Sequence, residues 1–175
     1  MRAAGGFVLH LILLVVYVLL HVLVASKLVL FDLGWCFFYL GFLLFLPITT
    51  PIVVQLLLGF GVGITMDIFY DTGGVHAAAA VLLMYLRPWV LRLLTPRDGY
   101  DAADAVNVHL MGGQWFLVYL VLLVSIHHLA FFLLELGSFQ IIGVTLIKVI
   151  VSTLFTGITL LIVQMLFFPS RRSKR

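Results

Sequence analysis

The chain has 175 residues, 64% of them hydrophobic and 10% charged, with ten Lys and Arg against seven Asp and Glu. A soluble domain carries about 25% charged residues to face water, so at a mean hydropathy of +1.26 a single domain with a mostly lipid-facing surface is expected. The net charge of +3 does not point to nucleic acid, because four basic residues cluster at 170–175, and the single cysteine, Cys36, excludes an internal disulfide and any paired-cysteine metal or redox motif.

A membrane-spanning helix needs about 20 mostly apolar residues. Segments of that kind fall at 7–26, 29–46, 52–69, 75–94, 115–134 and 141–168. The first is long enough to span and has no small-residue cleavage site after it, so a helix is expected there and not a signal peptide. Between the second and third, Pro47-Ile48-Thr49-Thr50-Pro51 forces a short turn, since Pro51 lacks an amide hydrogen and restricts Thr50. Asp71-Thr72-Gly73-Gly74 is a second turn, with glycines free to take positive φ. Pro96-Arg97-Asp98-Gly99 opens the long polar connection at 95–113, and Glu135-Leu136-Gly137-Ser138 precedes the last span.

The expected fold class is therefore all-α integral membrane, a six-transmembrane-helix bundle with a polar loop at 95–113 and a basic tail at 169–175. Six spans put both termini on one side. That side holds Arg2, Arg92, Arg97, Arg171, Arg172, Lys174 and Arg175, with Arg87 near it, against Lys27 and Lys148 opposite. The excess of basic residues places both termini and the 95–113 loop in the cytoplasm.

Polar residues inside spans are costly in lipid and mark contacts or sites. Gln55, Gly59, Gly63 and Asp67 recur every four residues, on one face of the third helix. Gly59 and Gly63 form a pair that lets another backbone approach, either the small run Ala77–Ala80 of the next helix or a partner's helix. Asp67, Asp71 and His76 gather at the following turn. They could bind a metal or exchange protons, but a short acidic, glycine-rich turn also caps helices, with Asp67 satisfying the amides that open the next one. His10, Tyr17 and His21 share a face of the first helix, and His128 shares one with Glu135; these should point into the bundle. Thr145, Lys148, Ser152 and Thr156 form a polar stripe on the last helix, from which Lys148 can snorkel outward or meet an acid. No nucleophile elbow, zinc-protease or phosphate-loop motif occurs.

One family resemblance emerges at the third and fourth spans. Gly63-Ile64-Thr65-Met66-Asp67-Ile68-Phe69, a turn, then Gly74-Val75-His76-Ala77 resembles the signature of the bacterial rod shape-determining protein MreD family. Pro47, Leu86-Arg87-Pro88 and Leu94-Thr95-Pro96-Arg97-Asp98-Gly99-Tyr100 fit the same pattern. Ile64 and Gly73 each stand where many members have Leu. The resemblance implies a non-enzymatic scaffold, without cofactor, in the inner membrane. Its partners would be MreC, MreB, the glycosyltransferase RodA and an elongation transpeptidase. It also implies a fold similar to the substrate-binding S-component of energy-coupling-factor transporters, so a small-molecule (vitamin) transporter subunit is the alternative. The candidate contact surfaces are the Gln55, Gly59, Gly63, Asp67 face, the turn with Asp71, Gly73, Gly74 and His76, and the loop with Arg97, Asp98, Asp101 and Asp104.

Overall fold

The computed structural model describes residues 2–100, 106–136 and 142–167; Asp101, Asp104 and the basic tail lie outside the described residues. Five long helices form the frame: α1 (Arg2–Leu23), α3 (Ile52–Tyr70), α4 (Val75–Leu93), α6 (Gly113–Glu135) and α7 (Ile142–Phe167). Shorter elements join them: a 3-10 turn (Ala25–Lys27), strands β1 (Val29–Leu30) and β2 (Gly34–Trp35), α2 (Leu40–Leu44) and α5 (Val108–Met111). Four helices, at Val8–Lys27, Ile52–Tyr70, Gly113–Glu135 and Ile142–Phe167, are long and apolar enough to cross a membrane. The remaining frame helix, α4, matches α3 in length at 19 residues but carries Arg87, Pro88 and Arg92.

Contacts along the helices fix their directions. His10 of α1 shares a cleft with Thr50 and Val54, and His21, eleven residues on, meets Tyr70 at 5.6 Å between ring centroids. Thus α1 and α3 run parallel, from what is here called the loop end to the hairpin end. The antiparallel return of α4 follows from Gly63 abutting Ala77, α6 rises again beside it, with His76 against Phe131 at 4.6 Å, and α7 descends to place Gln164 beside Val106. Consequently α1 starts and α7 finishes at the same end as the 95–113 connection.

Because α1 and α3 are parallel, the chain between them has to pass back through the bundle. It does so without a long helix, which corrects the expected span at 29–46. Phe31 and Asp32 both take left-handed φ, 53° and 56°, and turn the chain into a two-residue antiparallel hairpin pairing Val29 with Trp35 and Leu30 with Gly34. From there the segment runs through the interior, with Tyr39, Leu40, Leu43 and Leu44 fully buried. A single helical stripe cannot bury side chains pointing in every direction, so apolarity here reflects a protein environment and not lipid. Irregular backbone at membrane depth is tolerated only where protein satisfies its polar groups. Here α7 does so: Ser152 Oγ accepts from the Trp35 amide and Thr156 Oγ1 from the Phe37 amide, both at 3.0 Å.

The surface is far more apolar than a soluble protein's, and polar side chains share the interior with an apolar core. Gln55, Arg87, His127, His128, Ser152 and Thr156 are buried, while Val53, Leu57, Ile68, Ile150, Leu154 and Ile158 face outward. The Gln55/Gly59/Gly63/Asp67 face packs against α4. A Cβ on Gly63 would lie 2.7 Å from the Ala77 nitrogen, and one on Gly59 would lie 3.0 Å from the Ala80 oxygen, whereas one on Gly61 meets no atom within 4 Å. Gly63→Leu is expected to cost about 1–3 kcal/mol through overpacking, read as a lower melting temperature in detergent, with Gly61→Leu melting as the parent does. Equal melting of the two variants would refute the close α3–α4 approach.

Candidate functional site

Among the described residues, two polar clusters and a cavity stand out in the interior. The cluster nearer the loop end centres on Arg87, which is fully buried. Its Nε donates to the Tyr119 hydroxyl at 2.8 Å, one terminal nitrogen to Gln55 Oε1 at 3.2 Å, and the other to the carbonyls of Leu44, at 3.5 Å, and Leu46. Tyr119 donates in turn to the Leu44 carbonyl at 2.8 Å, and Gln55 Nε2 to the Thr50 carbonyl at 2.7 Å. The carbonyls at 44 and 46 lie where α2 ends and its last oxygens lack helical partners. A guanidinium's rigid fork suits several oxygens at once. Arg87 thus fastens α4 to α3, α6 and the irregular crossing, and no acid is among these partners.

The second cluster lies at the α3–α4 turn. Asp67 Oδ1 accepts from the His76 amide and Oδ2 from the Ala77 amide, both at 3.0 Å, and Thr72 Oγ1 also donates to Oδ1. His76 Nδ1 lies 2.8 Å from Thr72 Oγ1 and 3.2 Å from Asp67 Oδ1. Asp67 therefore caps α4 from the preceding helix. The turn itself needs positive φ at Asp71, Gly73 and Gly74, which closes α3 and opens α4. Asp71 is exposed, and the hydrogen bonds of the cluster run among Asp67, Thr72 and His76. Among the described residues no group of His, Cys, Asp and Glu has metal-site geometry.

Between these clusters the aromatic and imidazole side chains converge. Tyr39 and His127 Nε2 share a hydrogen bond of 2.8 Å, and His128 Nδ1 donates to the Val124 carbonyl at 2.7 Å. Phe37 sits among His128, Phe131 and His127 at 4.7, 4.8 and 5.5 Å. Above Phe37, toward the hairpin end, opens a cavity of about 260 Å³ whose lining includes His21, Trp35, Tyr70, His76, Glu135 and Lys148. Lys148 lies over the Trp35 ring at 5.1 Å, meeting an aromatic face and not an acid.

Of the sequence-predicted site residues, Gln55, Gly59, Gly63, Asp67 and His76 turn inward, and Asp71 and Gly73 are exposed at the turn. Arg97 and Asp98 are exposed as well. The connection is nonetheless tied to the bundle at both ends, through Tyr100 to the Leu91 carbonyl and Trp115 to the Leu94 carbonyl. Sequence reasoning placed Arg87 near the membrane rim and gave Tyr39 and Tyr119 no role. The available signal was an arginine six residues inside the end of an apolar run, which has to find oxygens within the bundle.

No protein-family model, curated protein or solved structure matches this chain. What fold and site define together is a helical membrane protein with a polar, hydrogen-bonded interior. Replacing Arg87 with Met should leave buried oxygens without their donor, each costing about 1–3 kcal/mol, and abolish the monodisperse folded protein in size-exclusion chromatography. Arg87→Lys should fall between the two, keeping charge without the fork. Parent-like melting of Arg87→Met would contradict the anchoring role.

Proposed function

We propose that the protein is a non-enzymatic inner-membrane scaffold of bacterial cell elongation, of the MreD kind, binding MreC and through it MreB, RodA and a transpeptidase. The observation that supports this reading is where the residues of the resemblance lie. Gly63, Asp67, His76 and Arg87 are all occupied in packing α3 on α4 or in fastening the irregular crossing. Residues so employed keep a shape and are not held out toward a reactant. In this proposal the chain passes the membrane six times, five times as a helix and once as the buried segment ending at α2, with both termini and the 95–113 loop cytoplasmic.

The Gly59/Gly63 face is filled by α4, so the partner surface is assigned elsewhere. An apolar groove runs between α1 and α3, past His10, Leu14, Val18, Leu58, Gly61 and Thr65. It follows α1 from His10 to Leu19 and α3 from Val54 to Thr65 and is open at Gly61, which suits the single membrane helix of a bitopic partner such as MreC. Gly61→Leu should leave the melting temperature unchanged yet deplete the co-purified bitopic partner, and depletion of the protein in a rod-shaped host should give round cells. Normal rods on depletion, with impaired vitamin uptake, would overturn the scaffold in favour of the transporter subunit. That second reading is favoured by one observation, the cavity at the hairpin end. Orientation has its own check: a cysteine at Ser173 should resist labelling from outside intact cells, and efficient labelling there would reverse the assignment.

A further inference from the structure

The cavity at the hairpin end is built where six parts of the chain meet: α1, the hairpin, the segment after it, the α3–α4 turn, the end of α6 and α7. Two of its polar groups have no hydrogen-bond partner among the described residues. These are His21 Nδ1, on a side chain 4% exposed, and the Tyr70 hydroxyl. Both atoms are closed off within the wall, each with under 1 Å² of accessible surface, so they do not themselves reach the space. The walls beside them are flat rings, Trp35, Phe37 and Phe131, which favour a planar guest through stacking and edge contacts. At about 260 Å³ the space falls just under the roughly 300–1,000 Å³ of drug-sized sites, so the guest is one or two rings across.

Charge at the mouth sets the last property. The Lys148 side chain is half-buried and held against Trp35 at the cavity wall, while Glu135 is exposed. The cation is therefore the inner charge, and the acid stands in high dielectric where its field is weak. We propose that this cavity binds a small flat aromatic or heteroaromatic molecule bearing a carboxylate or similar anionic group. The ring lies among Trp35, Phe37 and Phe131, and its anion pairs with Lys148. The proposal requires neither functional reading above, since a scaffold can carry a regulatory ligand and a transporter subunit a cargo.

The test is equilibrium dialysis and thermal melting of the full-length protein in detergent, with benzoate, nicotinate and indole-3-carboxylate as probes. Benzamide, benzylamine and cyclohexanecarboxylate serve as the neutral, cationic and non-planar comparators. At least one flat carboxylate should be retained and raise the melting temperature, above all three comparators. Lys148→Gln should weaken that carboxylate by about tenfold or more, the range of a hydrogen bond to a charged group, without altering benzamide. Tyr70→Phe removes a hydroxyl closed off from the cavity, so it should leave both the free protein's melting and the probe's affinity unchanged. Retention of no flat carboxylate, preference for benzylamine, or parent-like affinity in Lys148→Gln would overturn the proposal. None of these outcomes bears on cell shape or partner co-purification, so a failure here is separable from a failure of the scaffold.

Discussion

A guanidinium inside a lipid-facing bundle has to find oxygens for its donors, and at Arg87 they come from α3, α6 and the end of α2. The dependence is mutual. The segment that returns between α1 and α3 has backbone carbonyls at Leu44 and Leu46 that a long helix would have satisfied itself, and Arg87 supplies the missing donors. Toward the other end of the same segment, Ser152 and Thr156 of α7 take the amides of Trp35 and Phe37. With side chains from two helices closing its polar groups, an irregular path through the middle of the bundle becomes stable, and the parallel arrangement of α1 and α3 becomes possible.

Placing polar groups inside and apolar ones outside changes what a polar residue means. In water a buried arginine or threonine is an expense to be explained; in this bundle the interior is the place where such groups can be paired. The polar stripe of α7 has this role, as does Asp67, whose carboxylate binds two amides at the start of α4. An exposed turn containing Asp71, Gly73 and Gly74 is left over once Asp67 and His76 have turned inward. Reading the cluster as acids and an imidazole in one place therefore overstates what they share.

The Arg87 cluster and the wall of the cavity differ in how their polar groups are met. Around Arg87 the donors and acceptors match, and the surrounding Tyr119, Leu44 and Met84 leave no exposed surface. Near the hairpin, His21 and Tyr70 retain polar atoms without partners among the described residues, buried in the wall of the cavity.

The sequence by itself determined the lipid-facing character, the breaks at Pro47–Pro51 and at Asp71–Gly74, and the positions of α1, α3, α4, α6 and α7 to within a few residues. Those features are local: apolar run length, proline's missing amide and glycine's free φ act wherever the residues stand. The capping role of Asp67 was legible too, because a carboxylate close before a helix start has few other uses. Only tertiary structure decided the rest. Apolarity at 29–46 reads the same whether the surroundings are lipid or protein, so run length could not distinguish a spanning helix from a buried irregular strand. Arg87 looked like a residue of the membrane rim, because its oxygens belong to residues more than thirty positions away. Whether Gly59 and Gly63 met α4 or another chain was likewise open, since close backbone approach requires small residues in either case, and folding alone chose Ala77 and Ala80.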